Sequence, residues 1–104
     1  MSLPDDILQK MLDAAKTAAG AQWTTFSDDI RTFSQNLLDD GKNIADNLRI
    51  GRISEAEAKV ELDAVSDEAD MIANYTTESV KIAAQNAVNA AVGALWEAIK
   101  AAVP

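Results

Sequence analysis

The sequence predicts an all-α fold: one long antiparallel helical hairpin, with helices over about 4–50 and 54–102, forming a single domain over 1–104. Three observations predict it. Both prolines, Pro4 and Pro104, stand at the ends, so the interior is free of the strongest helix breaker. Apolar residues recur every three or four positions, with no strand-like alternation. A helix stop followed at once by a helix start lies in the middle of the chain.

The first helix opens at Ser2, Pro4, Asp5 and Asp6, a proline and two acids suited to a helix N-terminus. Its apolar stripe then passes through Leu8, Leu12, Ala15, Ala19, Trp23, Phe26, Ile30, Phe33, Leu37, Gly41, Ile44 and Leu48. Residues 20–29, with Gly20, Thr24, Thr25 and Ser27, are its weakest stretch. The stripe crosses them without losing phase, so one continuous helix is expected. A break there would give a three- or four-helix monomer instead.

The turn is read from "LRIGRISEAEAKVEL". Gly51 suits the left-handed position just past a helix end, and Arg49 lies in the last turn, where a cation favours the dipole. Ser54 followed three residues later by Glu57 is a capping box. The second helix then carries Ala58, Leu62, Val65, Ala69, Ile72, Thr76, Val80, Ala83, Ala87, Ala91, Ala94 and Ala98 on one stripe. Folding the chain back at Gly51 sets Phe33 opposite Ala69, Phe26 opposite Thr76 and Leu62 over Gly41. Large residues thereby face small ones. The expected hairpin seam is Trp23, Phe26, Ile30, Phe33, Leu37, Leu62, Val65, Ile72, Ala87 and Ala94.

After Ile82 the helix has two adjacent apolar stripes, one of alanines and one built on Val88, Val92, Leu95 and Ile99, with Trp96 at the edge. Glu97, Lys100 and three amides, with alanine as the dominant residue, argue against a membrane span. One partner helix covers one stripe. The second stripe, Val88, Val92, Leu95, Trp96 and Ile99, is therefore expected to be an association surface pairing two hairpins into a C₂ homodimer and four-helix bundle. Cover by a folded-back N-terminal third is the alternative.

The chain carries a formal net charge of −8. Eight acids lie between Glu55 and Glu78 against Lys59 alone. Glu57, Glu61, Asp63, Asp67, Glu68 and Asp70 make an acidic face that repels phosphate backbones and anionic lipid, so neither nucleic acid nor membrane is an expected partner. A basic protein is the expected one. With no histidine and no cysteine, the commonest general base, transition-metal ligand and thiol nucleophile are missing, so no enzyme activity, metal or cofactor is expected. "DEAD" at Asp67–Asp70 falls within a helix and lacks the glycine loop that gives this string its meaning in helicases. "DDGKN" at Asp39–Asn43 lacks the alternating oxygen ligands of a calcium loop.

In length, acidity, lack of cysteine and a glycine at the central turn, Gly51, the chain resembles the secreted WXG100 helical hairpins. It departs from their motifs: Arg49-Ile50-Gly51 stands where that family has Trp-x-Gly, and Tyr75 is followed four residues on by Ser79 rather than an acid. The resemblance is one of architecture and implies leaderless secretion.

No segment has the basic start and apolar run of a secretory signal, and a cytoplasmic location is expected. The expected function is that of a non-enzymatic, self-associating helical scaffold whose acidic outer face binds another protein. The alternatives are a bundle holding a small apolar ligand near Trp23 and Phe26, and an acidic inhibitor or immunity-type protein.

Overall fold

A computed structural model describes residues 6–67 and 77–102 of the chain, the side chains of 65–67 excepted. Of these residues 92% are helical and none is in a strand. Four α-helices are described: α1 (Ile7–Ala19), α2 (Trp23–Arg49), α3 (Glu55–Asp67) and α4 (Glu78–Ala102), with a 3₁₀ turn, Gly20–Gln22, between α1 and α2. No helix among the described residues is long and apolar enough to cross a membrane.

The expected continuous first helix is broken. Gly20 caps α1 with φ 61° and ψ −131°, a conformation that an L side chain resists and glycine adopts freely. The next turn is 3₁₀, and at Phe26, with φ −134° and ψ 19°, the backbone again leaves helical geometry. The β-branched pair Thr24 and Thr25 lies inside this irregular stretch, where helix propensity is lowest. Because the chain turns there, α1 and α2 pack on each other and both pack on α4, with α1 against α4 the most extensive of these contacts.

The second expectation also fails as drawn, since α3 and α4 do not form one straight rod. Lys59 of α3 lies 5.9 Å from the Trp96 ring of α4. Residues that far apart in sequence would be separated by about 55 Å along a continuous helix. The same conclusion follows from size. The fold measures 43 × 23 × 17 Å, whereas the hairpin would need about 70 Å of length. The apolar periodicity was real, but it specified faces and not partners.

The central turn forms as its residues predict. Gly51 takes φ 81°. Its N–H donates to the carbonyl of Leu48 at 3.2 Å, and the Arg52 N–H donates to the carbonyl of Asn47 at 2.9 Å. This pair of bonds is a Schellman motif, and it satisfies carbonyls that the helix end would leave orphaned. At the start of α3, the Glu57 N–H donates to Ser54 Oγ and the Ser54 N–H donates to Glu57 Oε1, both at 3.1 Å. The capping box is complete.

The core is built chiefly on α1, α2 and α4. Ile7, Met11, Leu12 and Ala15 from α1 and Phe26, Ile30, Leu37 and Ile44 from α2 are buried with Ala83, Ala84, Ala87, Val88, Ala91, Val92, Leu95 and Ile99 from α4. Helix α3 adds only Ala58 and Leu62 among its described side chains. At Gly41, α2 packs closely against α4. A Cβ built there would lie 2.8 Å from Leu95 Cδ2, so it is Leu95, and not the expected Leu62, that fills the space over this glycine.

Candidate functional site

The larger apolar stripe of α4 is inside the single chain, while the alanine stripe is buried at Ala83 and Ala87, half-buried at Ala90, Ala94 and Ala98 and exposed at Ala101. Leu95 and Ile99 are fully buried, Val88 and Val92 nearly so, and Trp96 is half-buried. The stripe expected to form the association surface is thus covered by the chain's own helices, as the folded-back alternative required. The second stripe had to be covered, and breaking the first helix supplied enough helices to cover it.

Of the expected seam, Phe26, Ile30, Leu37, Leu62 and Ala87 are buried, while Trp23, Phe33 and Ala94 pack on the core half-buried. The side chain of Val65, and Ile72 entirely, lie outside the described residues. Trp23 and Phe26 meet edge to face, with ring centroids 6.4 Å apart. Phe26 is filled in by its neighbours, the arrangement of packed core and not of a ligand cavity. No group of three or more metal-ligating side chains occurs among the described residues.

Trp96 has a structural role that joins α3 to α4. The Lys59 ammonium approaches its ring from α3, and Lys100, one turn on in α4, stands 5.8 Å from it. Each lysine also has a carboxylate: Lys59 pairs with Asp63 at 2.7 Å and Lys100 with Glu97 at 3.1 Å. The ring thus lies between two ion pairs on the rim of the core, and cation–π contacts at such half-exposed sites contribute about 0.5–1 kcal/mol each.

Among the described residues three large hydrophobics are exposed, Ile50, Val60 and Ile82, and Val60 lies on the outer side of α3. Ala58 and Leu62 point into the core, and a helical wheel places Ala56, Val60 and Ala64 on the opposite side. All three are exposed, Val60 at 67%. Glu57 and Glu61 run along the edge of this stripe that faces α2, and the Lys59–Asp63 pair runs along the edge that faces α4. Beside Glu61 a groove of about 320 Å³ separates α3 from α2, lined among the described residues by Asp40, Asn43, Ile44, Asn47, Glu61 and Ala64. Neither Asp40 nor Glu61 has an ion-pair partner among the described residues. Lys59 is paired with Asp63 and Arg49 with Asp46.

Of the expected acidic face, Glu57 and Glu61 are therefore exposed at one place, and Asp63 is held by Lys59. The Asp67 side chain, Glu68 and Asp70 lie outside the described residues. The apolar stripe between the acids was missed from sequence. Its signal was present, since Ala56, Val60 and Ala64 recur at intervals of four on the side opposite Ala58 and Leu62. Two alanines and one valine simply make a faint stripe.

Comparison with known proteins finds no family model, no curated protein and no solved structure that matches the chain.

Proposed function

We propose that this chain is a non-enzymatic helical interaction module that binds another protein through its acidic outer surface. The observation that carries this reading is the α3 face: a helix apolar on two opposite sides, of which only one is covered by the fold. The exposed Val60, flanked by the exposed Ala56 and Ala64 and by carboxylates, supports this reading. Self-association through Val88, Val92, Leu95 and Ile99 has no place in the proposal, since those side chains are spent within one chain. A role in catalysis has nothing to support it. No histidine or cysteine occurs in the sequence, and the one buried polar side chain among the described residues is Ser34.

The test is a panel of photo-crosslinking residues placed singly at exposed positions on each helix: Thr17 on α1, Asn36 on α2, Val60 on α3 and Asn89 on α4. Expressed in the producing cell and irradiated, the panel is expected to yield a discrete adduct with a different protein from at least one position. If every position yields only uncrosslinked chain, the module is not an interaction protein.

A further inference from the structure

We propose that α1 is an exchangeable element, able to leave its own α4 and seat on the α4 of a second copy of this chain. The proposal does not depend on the outer face of α3. It starts from the contrast between the two joints that flank α2. The joint to α3 is closed by a Schellman motif and a capping box. The joint to α1 is a single 3₁₀ turn, Gly20–Gln22. Gly20 closes α1 through its backbone N–H alone, and the Gln22 side chain makes no cap bond at the start of α2. Gly20, Ala21, Thr24 and Thr25 are exposed, and a Cβ built on Gly20 meets nothing within 4 Å. Locally the bend is held by backbone conformation, at Gly20 with φ 61° and at Phe26 with φ −134°.

The apolar pattern fits the straight form equally well. Continued as one helix, the buried Ala15, Ala19, Phe26 and Ile30 and the half-buried Trp23 fall within an arc of about 80°. A straight helix over residues 7–49 is about 65 Å long, whereas the folded chain measures 43 Å at its greatest extent. In that form α1 projects past its own core. Two surfaces are then unmet: the buried side of α1, with Ile7, Met11, Leu12 and Ala15, and the side of α4 that α1 covered most extensively. Two straightened chains answer each other, because the contact that each has lost is the one the other offers. Reciprocal exchange about a two-fold axis closes the pair without a new interface. It differs from side-by-side pairing of closed monomers, since the apolar side of α4 stays covered throughout.

Gly20 sets the balance between the two forms. Glycine adopts φ 61° freely, so the parent chain stays closed in dilute solution. Alanine resists that angle and is the better residue in a straight helix, and each dimer holds two such hinges.

The test is Gly20→Ala in the full chain, with mass read by sedimentation between about 1 and 500 µM, a range that brackets a micromolar dissociation constant. Dimerisation should strengthen at least tenfold over the parent, and the denaturation midpoint, lowered in dilute solution, should rise with concentration. Two controls accompany it. Gly93→Ala makes the same change on the exposed side of α4, where a Cβ also meets nothing within 4 Å, and should leave a monomer. Gly20→D-alanine, made by chemical ligation, suits a positive φ and should hold the chain closed. Exchange is distinguished from simple pairing by spin labels on Gln9→Cys and Lys42→Cys, with labelled chains diluted in unlabelled ones. These positions are about 50 Å apart along a straight helix, beyond the 43 Å extent of the closed fold. A Gly20→Ala dimer with the short distance would overturn the proposal, as would a variant that stays monomeric at the highest concentration. Equal dimerisation of the D-alanine form would do the same. So would a Gly20→Ala chain that is unfolded at every concentration, because exchange should rescue it.

Discussion

Gly41 is the position where the packing of α2 on α4 is most exposed to test. A methyl group added there would meet Leu95 Cδ2 at 2.8 Å, Cδ1 at 3.1 Å and Cγ at 3.2 Å. Leu95 is fully buried, so its isobutyl group has no solvent to turn into. Two effects of opposite sign compete in Gly41→Ala. Alanine is better than glycine in a helix interior by about 1 kcal/mol. Overpacking a filled core costs about 1–3 kcal/mol. Rotating one Leu95 methyl away relieves the shortest contact but leaves Cγ too near, so the steric term wins by roughly 1 kcal/mol. A double-mutant cycle isolates the cause. Leu95→Ala alone should cost about 2–5 kcal/mol by leaving a cavity. In the Gly41→Ala background the new methyl occupies part of that cavity, so the pair should be less harmful than the sum by about 1–2 kcal/mol. Urea denaturation followed by circular dichroism measures all four corners. Gly41→Ala stabilising by about 1 kcal/mol, with strict additivity against Leu95→Ala, would mean that α4 does not close on Gly41. A coupling to Leu62→Ala instead would restore the extended hairpin.

Further outcomes follow from the same packing. Gly20→Ala should destabilise by about 1–3 kcal/mol, because φ 61° with ψ −131° is strained for any L side chain; in an unbroken helix the same change would stabilise, so the sign of the midpoint shift decides. Ser54→Ala should cost about 1 kcal/mol by removing the hydroxyl that accepts the Glu57 N–H, and Ser54→Asp should restore most of it in the same denaturation assay. Leu95→Glu with Ile99→Glu should abolish cooperative unfolding, since both positions are fully buried. Sedimentation of the parent chain should give an 11.1 kDa particle; a dimer that these changes split into folded monomers would contradict the assignment of the larger α4 stripe to the interior.

Local chemistry was the legible part of the sequence. The Schellman motif and capping box around Gly51 and Ser54 were readable because each involves groups within six residues of one another, and no distant contact can easily overrule them. The break at Gly20 was less legible for the converse reason. Apolar phase across residues 20–29 is kept whether the helix runs on or folds back, and only the burial of α1 against α4 selects the second. For α4, the pattern correctly demanded cover on two sides, yet a stripe of Val88, Val92, Leu95 and Ile99 says nothing about whose helix supplies it. Acids on the outer face could be read one by one. That Asp40 and Glu61 share a groove could not, because they come from different helices and meet only once the turn has closed.

The sealed turn between α2 and α3 also sets an order of events in time. Both helix ends there are satisfied by their own neighbours, so the joint closes without help from a distant contact. Bringing α2 to α3 closes only residues 50–54, whereas seating α1 on α4 must gather in the 58 residues 20–77. On the logarithmic scaling of loop entropy, the longer closure costs about 2 kcal/mol more. The arrival of α4 on α1 is therefore the step expected to be slow, with the α2–α3 corner set earlier. Mutations at Ser54 should then change the folding rate, and mutations at Ala15 or Ala87 mainly the unfolding rate. In a nascent chain the corner can form while α4 is still being made, leaving the core open until the last helix arrives.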